Sequence, residues 1–512
     1  MLLLAAPFLL SPTTFSNVLL RQFLYDAAML FLGIDLGASA FKLIVINAKG
    51  LPVAHIAAPI ATLSPAEGTF ATAEQDPKLW LIMLETLLDN LFKNSAVKPE
   101  DITALSITAG THIAVLCDND MQPLRNAIMW SDQRAASIMP KLMDAEDKIV
   151  AESLHAPNPT WTLAHLAWLL ENDSDTIREI HKILPAKDWL RHCLTGHIAT
   201  DLSDAIGLQL VNARKEEWSA TLCDLAGVNV SQLPEIAGSK DYAGQISESA
   251  AQRFKLSPKT AVYTGAIDTS TELLRPSDYK SDAPAYIKLA SAGVVYMSVP
   301  DKTSLPPLSC YPHYTVSDGW YLASGMNSCT TALDWLRKEV LSDISLQKFN
   351  ECAAKAPVGA KGVVFQPYLM GERAPHWNPD LTASLSGMSR ETDKSDIARA
   401  GFEGIAFAIR DIKENMEMLT GKIAENFNLL GGGAKSRLWS QIIADILQTP
   451  IHVQPNSDAA YGAGVLACHA HTGQMPPAIS NTTIMTFEPD TSLATFYAEK
   501  HAEFNLLRQK LS

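Results

Sequence analysis

Phe31-Leu-Gly-Ile-Asp35-Leu-Gly37-Ala-Ser39-Ala-Phe-Lys42-Leu-Ile-Val-Ile46 is the stretch on which the reading of the fold turns. Two runs of aliphatic and β-branched residues flank a turn of Gly, Ala and Ser, which reads as strand, tight turn, strand. Small residues let backbone approach a ligand closely, and successive N–H groups in such a turn face an anion. Asp35, ending the first strand, is placed for a metal ion or metal-bound water, and Lys42 for charge neutralisation. The same pattern also fits an ordinary hairpin, so the rest of the chain has to decide.

A second segment, Tyr286-Ile-Lys-Leu289-Ala290-Ser291-Ala292-Gly293-Val-Val-Tyr-Met-Ser-Val299, has the same grammar. Two related hairpins so far apart suggest two similar α/β domains, each opening with a phosphate-gripping turn, and a ligand in the cleft between them. No short-period repeat is visible, which excludes a solenoid. The chain has no G-x-x-x-x-G-K-[ST], no H-R-D or D-F-G, and no G-x-G-x-x-G after a strand. P-loop enzymes, protein kinases and nicotinamide dehydrogenases are therefore set aside.

Three further stations carry chemistry-bearing residues. Ala261-Val-Tyr-Thr-Gly265-Ala-Ile-Asp268 reads as a strand, a Gly-Ala turn, and an Asp opening a helix, either as N-cap or as site residue. Leu429-Leu-Gly431-Gly432-Gly433-Ala-Lys435 reads as a strand and a triple glycine before a helix, where missing side chains leave room for a flat ring. Downstream, Asp458 to Ala467 is a small-residue helix expected to pack beneath that glycine turn. Gly371-Glu-Arg-Ala-Pro-His-Trp-Asn-Pro379 is a charged, aromatic loop after an apolar run, suited either to line a cleft or to connect through solvent.

Composition bounds the rest. The chain has 512 residues, 47% hydrophobic, with 41 Lys+Arg against 55 Asp+Glu, a net charge of −14. That acidic balance excludes broad nucleic-acid or anionic-membrane binding, which needs a basic face. It does not exclude a phosphate site made of backbone N–H groups. Seven cysteines, never spaced C-x-x-C, read as reduced thiols of a cytoplasmic protein. Residues 1–28 lack both a basic start and an unbroken apolar span, and are read as an upstream extension, a misassigned start or a loose arm.

In order along the chain stand G-I-D-L-G-A-S-A-F-K (33–42), E-Q-D-P-K-L-W (74–80), A-G-T-H (109–112), A-I-M-W-S-D-Q-R (127–134), L-P-A-K-D-W-L-R-H-C-L-T-G (184–196), D-L-S-D-A-I-G (201–207), G-A-I-D (265–268), P-Y-L-M-G-E-R-A-P-H-W-N-P (367–379) and L-L-G-G-G-A-K-S-R-L-W (429–439). Their ordered sum resembles the FGGY carbohydrate kinases, within them the xylulokinases, from about Met29 to the C-terminus.

The resemblance implies two actin-like, ribonuclease H-like α/β domains, 29–276 and 277–512, closing on ATP, Mg²⁺ and a sugar, in a homodimer. It implies Asp268 as general base and Asp35 as the magnesium-organising carboxylate. Gly37, Ser39, Lys42 and Ser291 would surround the phosphates, and Gly432, Gly433 and Lys435 would border the adenosine. Thr111, His112, Trp130, Asp132 and Thr269 would touch the sugar. Against the family pattern, Ala38 replaces Thr in the first turn, Ala290 and Ala292 replace Gly and Thr in the second, and Thr269 stands where Asn is common. The implied acceptor is D-xylulose, with another ketopentose, a polyol or an aldonate as alternatives, and a binding-only homologue as the rival reading.

Overall fold

The computed structural model describes residues 29–64, 71–276, 284–299, 305, 309–313, 319–378, 380–453, 458–477 and 484–511. The reading of residues 1–28 as an extension lies outside them. Two sheets organise the chain. The first has six strands in the order Tyr242–Gln245, Ala261–Tyr263, Ile102–Ala109, Leu30–Leu36, Ala40–Asn47, Pro52–Pro59. The second has seven, in the order Cys310–His313, Gly319–Met326, Gly293–Val299, Ala285–Leu289, Phe427–Leu430, Ile451–Val453, Met485–Phe487.

The sheets repeat one plan. In each, the opening strand of a hairpin pairs antiparallel with its partner and parallel with a later strand on its other side. The strand Leu30–Leu36 is buried almost throughout, as a central strand covered on both faces must be. Pro52–Pro59 alternates toward solvent, as suits a sheet edge. Both hairpins expected from the sequence are present, with turns at 37–39 and 290–292.

The helix Ala459–Thr472 corrects one expectation. It packs on the first sheet, against Leu30–Leu36 and Ile102–Ala109, not beneath the triple glycine. Small residues explain the fit: a Cβ on Gly33 would lie 2.0 Å from the Ala460 carbonyl oxygen, and one on Gly462 would lie 1.8 Å from that of Thr271. Tyr461, Val465 and Leu466 complete a core with Phe31, Ala104 and Leu274. Packing therefore does not follow the division at 276/277, because a helix from the second half finishes the core of the first. No helix among the described residues is long and apolar enough to cross a membrane.

Candidate active site

The first hairpin brings a carboxylate to the cleft. Asp35 is 3% exposed at the end of its strand, and its Oδ2 accepts from Lys42 Nζ at 3.2 Å, which also lies 3.6 Å from Asp458. Its Oδ1 is buried without a hydrogen-bond partner. Burial, against the pull of Lys42 and with the nearby charge of Asp268, pushes its pKa up to about 7. An orphaned, hard carboxylate oxygen fits a magnesium ion, which takes one or two protein carboxylates and fills its other positions with water and phosphate.

The turn itself is held from behind. Gln75 Nε2 donates to the Ala38 carbonyl at 2.8 Å, while Gln75 Oε1 accepts from Trp80 Nε1 at 2.9 Å, and the Ile60 N–H donates to the Ser39 carbonyl at 3.0 Å. This explains the motif at 74–80: Asp76 caps the helix Pro77–Asn94, and its neighbours Gln75 and Trp80 anchor the turn. A Cβ at Gly37 would sit 2.9 Å from the Ala40 carbonyl oxygen. The N–H groups of Ala38 and Ser39 meet no protein acceptor among the described residues. Ala38 lacks a hydroxyl, yet its amide remains free for an anion.

The second turn is held in the same way. The Ala290 carbonyl accepts from the Thr330 N–H at 2.9 Å, and the Ser291 carbonyl accepts from the Cys329 N–H at 2.9 Å and from the Thr331 hydroxyl. Ser291 borders a cavity of about 800 Å³ lined also by Thr330, Asn350, Gly432, Lys435 and Trp439. The three glycines differ. A Cβ at Gly431 (φ +82°) would lie 2.6 Å from the Leu289 carbonyl oxygen, and one at Gly433 would lie 2.6 Å from both Leu289 Cβ and the Trp439 ring. Both Gly432 and Gly433 line the cavity, but a Cβ at Gly432 would meet nothing within 4 Å whereas one at Gly433 would be crowded.

Asp268 is the first residue of the helix Asp268–Glu272, whose cap position is Ile267. The chain reaches it through Gly265, at φ +81°, where a Cβ would lie 2.1 Å from the Ile107 carbonyl oxygen. Its carboxylate accepts from the Thr269 N–H at 2.6 Å and hydroxyl at 3.3 Å. One turn on, Glu272 takes Lys288 Nζ at 2.5 Å, tying this helix to the strand that leads into the second turn.

Beneath that loop lies a cluster the sequence reading missed. Lys187, wholly buried, pairs with Asp188 at 2.7 Å, Asp201 at 3.1 Å and Asp204 at 3.3 Å. Arg191 pairs with Asp188 and donates to the Thr264 carbonyl at 2.8 Å. Asp201 accepts from the Ser203 hydroxyl at 2.5 Å, and Ser203 Oγ accepts from the Ile267 N–H at 3.1 Å. Burial outweighs Lys187 and raises the Asp204 carboxyl well above its ordinary range. The motifs at 184–196 and 201–207 thus position the loop of Asp268. Their only signal in the sequence was charge in otherwise apolar surroundings.

A smaller cavity, about 320 Å³, takes Thr111, His112, Trp161 and Thr269 from the first half and Tyr296 and Arg373 from the second. His112, at φ +65°, hydrogen-bonds through Nδ1 to the Gly207 carbonyl at 2.6 Å and stacks on Trp161 with centroids 3.9 Å apart. A carbonyl can only accept, so Nδ1 carries the proton and Nε2 the lone pair. Burial pushes this imidazole's pKa down to about 3, so it is neutral. Thr111 shares this wall, where a Cβ on Gly207 would come 1.8 Å from its hydroxyl.

Two expected sugar contacts do not reach this cavity. Trp130 is 48% exposed and stands beside Gly110, outside the lining. Asp132 is wholly buried and accepts from the Ala73 N–H at 2.6 Å, the Arg134 N–H at 2.9 Å and the Arg134 guanidinium at 2.9 and 2.8 Å. Burial raises its pKa, but these bonds outweigh that and hold it below the ordinary range. With its oxygens occupied by these bonds, Asp132 braces the 127–134 segment.

Comparison with known proteins agrees with this fold. Residues 30–274 match the N-terminal domain of the FGGY family of carbohydrate kinases and residues 291–471 its C-terminal domain. A xylulose kinase of Staphylococcus epidermidis is 30% identical over 447 residues, 86% of this chain and 87% of that one. The crystal structure of a "xyloylose kinase" from Brucella ovis superposes with a TM-score of 0.85 at 28% identity, over 94% of this chain and 99% of that one. A gluconate kinase from Lactobacillus acidophilus shares the fold, with a TM-score of 0.83 at 24% identity over 94% and 98%. The chain belongs to the FGGY family of carbohydrate kinases, sugar kinases with ATP as phosphate donor, built on two actin-like halves.

Proposed function

We propose that this chain phosphorylates a ketopentose, D-xylulose first, with ATP and Mg²⁺. The observation that carries the reading is the placement of Asp268 beside the small cavity, next to Thr269 in its wall and within electrostatic reach of Asp35. Asp268 takes the proton of the attacking sugar hydroxyl as the oxygen bonds to the γ-phosphorus. The bond from that phosphorus to the bridging oxygen breaks, and ADP leaves with the electron pair. The amides of the two turns would hold the phosphates. Asp35 would hold magnesium, which when bound neutralises phosphate charge. His112, Thr111 and Thr269 would orient the sugar, and Gly432, Gly433 and Lys435 would border the adenosine.

Two neutral details support a polyol acceptor: aromatic walls and an imidazole lone pair suited to hydroxyl donors. A cytoplasmic location rests on the scattered cysteines of the sequence, read as reduced thiols, and a homodimer on the family resemblance alone. Coupled ADP release across D-xylulose, other pentuloses, polyols and aldonates tests the reading. D-xylulose is expected to give the highest kcat/KM. Another acceptor ranking first would displace D-xylulose, and no stimulation by any sugar would displace the kinase.

A further inference from the structure

The small cavity contains one ionic side chain that no part of this reading uses. Arg373 follows Glu372 in the loop 371–377, and that loop is fixed to the strand Gly319–Met326. The Ala374 N–H donates to the Gly325 carbonyl at 3.2 Å, and Glu372 Oε1 accepts from the Asn327 and Arg373 N–H groups, each at 2.8 Å. The Arg373 guanidinium donates to the Met326 carbonyl at 3.3 Å. A Cβ on Gly325 would lie 2.9 Å from its Nη2 and 3.4 Å from the Gly293 carbonyl oxygen, so glycine at 325 makes the room it occupies. Val294 and Gly325 pair across the sheet, which puts the guanidinium beside the first residues after the second turn.

Its charge has no direct ion pair, although the adjacent Glu372 carboxylate attracts it. Lys42 is paired with Asp35 and Asp458, and Lys288 with Glu272, whereas no carboxylate lies within ion-pair distance of Arg373 among the described residues. The phosphoryl group must pass from the turn at 290–292 to a hydroxyl held at Asp268. On that path it meets the carboxylates of Asp35 and Asp268, in a chain of net charge −14. Fixed cations aimed where charge develops stabilise such a transfer, and a planar guanidinium matches phosphoryl oxygens.

We propose that Arg373 is a catalytic residue whose guanidinium binds the γ-phosphoryl oxygens during transfer. The inference rests on the kinase reading above. As the phosphorus leaves ADP and bonds to the sugar oxygen, with the hydroxyl proton on Asp268, the guanidinium keeps its own protons and moves none.

The test compares the full chain with Arg373→Met and Arg373→Lys, using the acceptor sugar that works best for wild type. In Arg373→Met, kcat is expected to fall about 10²–10³-fold with the sugar KM within about threefold. Arg373→Lys and added guanidinium ion should each restore part of it. A binding measurement stands apart from turnover: ADP with aluminium fluoride and Mg²⁺ should bind wild type more tightly than ADP alone, and Arg373→Met should lose that gain while keeping its affinity for ADP. An unchanged kcat in Arg373→Met, or an unchanged aluminium fluoride gain, overturns the proposal. So does a loss confined to the KM of anionic sugars, which would make Arg373 a reader of substrate carboxylate. Wild type inactive on every sugar would instead overturn the kinase reading beneath it.

Discussion

The hairpin at 30–47 and the hairpin at 285–299 share a backbone plan and divide the chemistry unequally. Both turn their carbonyls back into the protein, to Gln75 and Ile60 in the first and to the segment 329–331 in the second, so both can offer amides forward. The first adds charge: Asp35 with an oxygen to spare, and Lys42 beside it. The second adds space, because Gly432 opens a large cavity at its side while its own Lys288 is tied to Glu272. Duplicated backbone thus supports two tasks, a metal-facing turn and a nucleotide-facing one, distinguished by what stands next to each.

The largest expected effect removes the carboxylate proposed as the base. Asp268→Asn should lower sugar-dependent ADP release about 10²–10⁴-fold with ATP affinity retained, and wild-type turnover in that variant would end its assignment as base. Next, Lys288→Met should cut the tie between the base helix and the second hairpin. With Glu272 left nearly buried, the loss should be about 2–3 kcal/mol of stability, discounted for the partial exposure of Lys288 and read from the denaturant midpoint.

The glycines separate packing from ligand space. Gly433→Ala should destabilise by about 1–2 kcal/mol through its contacts with Leu289 and Trp439, whereas Gly432→Ala should leave the midpoint unchanged and move only the KM for ATP. Equal midpoints for the two would erase the distinction. The last effect appears only in acid. His112 and His155 are held neutral by burial, with pKa values of about 3 and about 4. The unfolded chain takes up these protons below about pH 6.5 while the folded chain refuses them, so their contribution to stability is full above that pH and falls toward pH 4. Each imidazole contributes about 1.4 kcal/mol per pH unit, and His155→Gln should make the slope shallower by one such share.

What the sequence disclosed was local. Asp35, Gly37 and the glycines at 431–433 could be read because turn chemistry is written in adjacent residues. The bracing bonds of Asp132 could not be read, because its partner Ala73 lies 59 residues away. The helix at 459–472 was correctly read as close-packing, but the surface it meets, around Gly33, belongs to the other end of the chain. Arg373 carried no local signal beyond sitting in a charged loop. Its exposure to the cavity depends on Gly325, which only the sheet register brings beside it.

That same helix has a consequence for biosynthesis. The core under the first hairpin is incomplete until Tyr461, Val465 and Leu466 arrive. At about 5–20 residues per second, a ribosome reaches residue 472 only after roughly half a minute to a minute and a half. During that interval Phe31 and its neighbours on the first sheet lack their cover, although their strands were made near the start. The first half is therefore the earliest to be synthesised and among the last to be sealed. A chain arrested before residue 459 should bind chaperones through that open face.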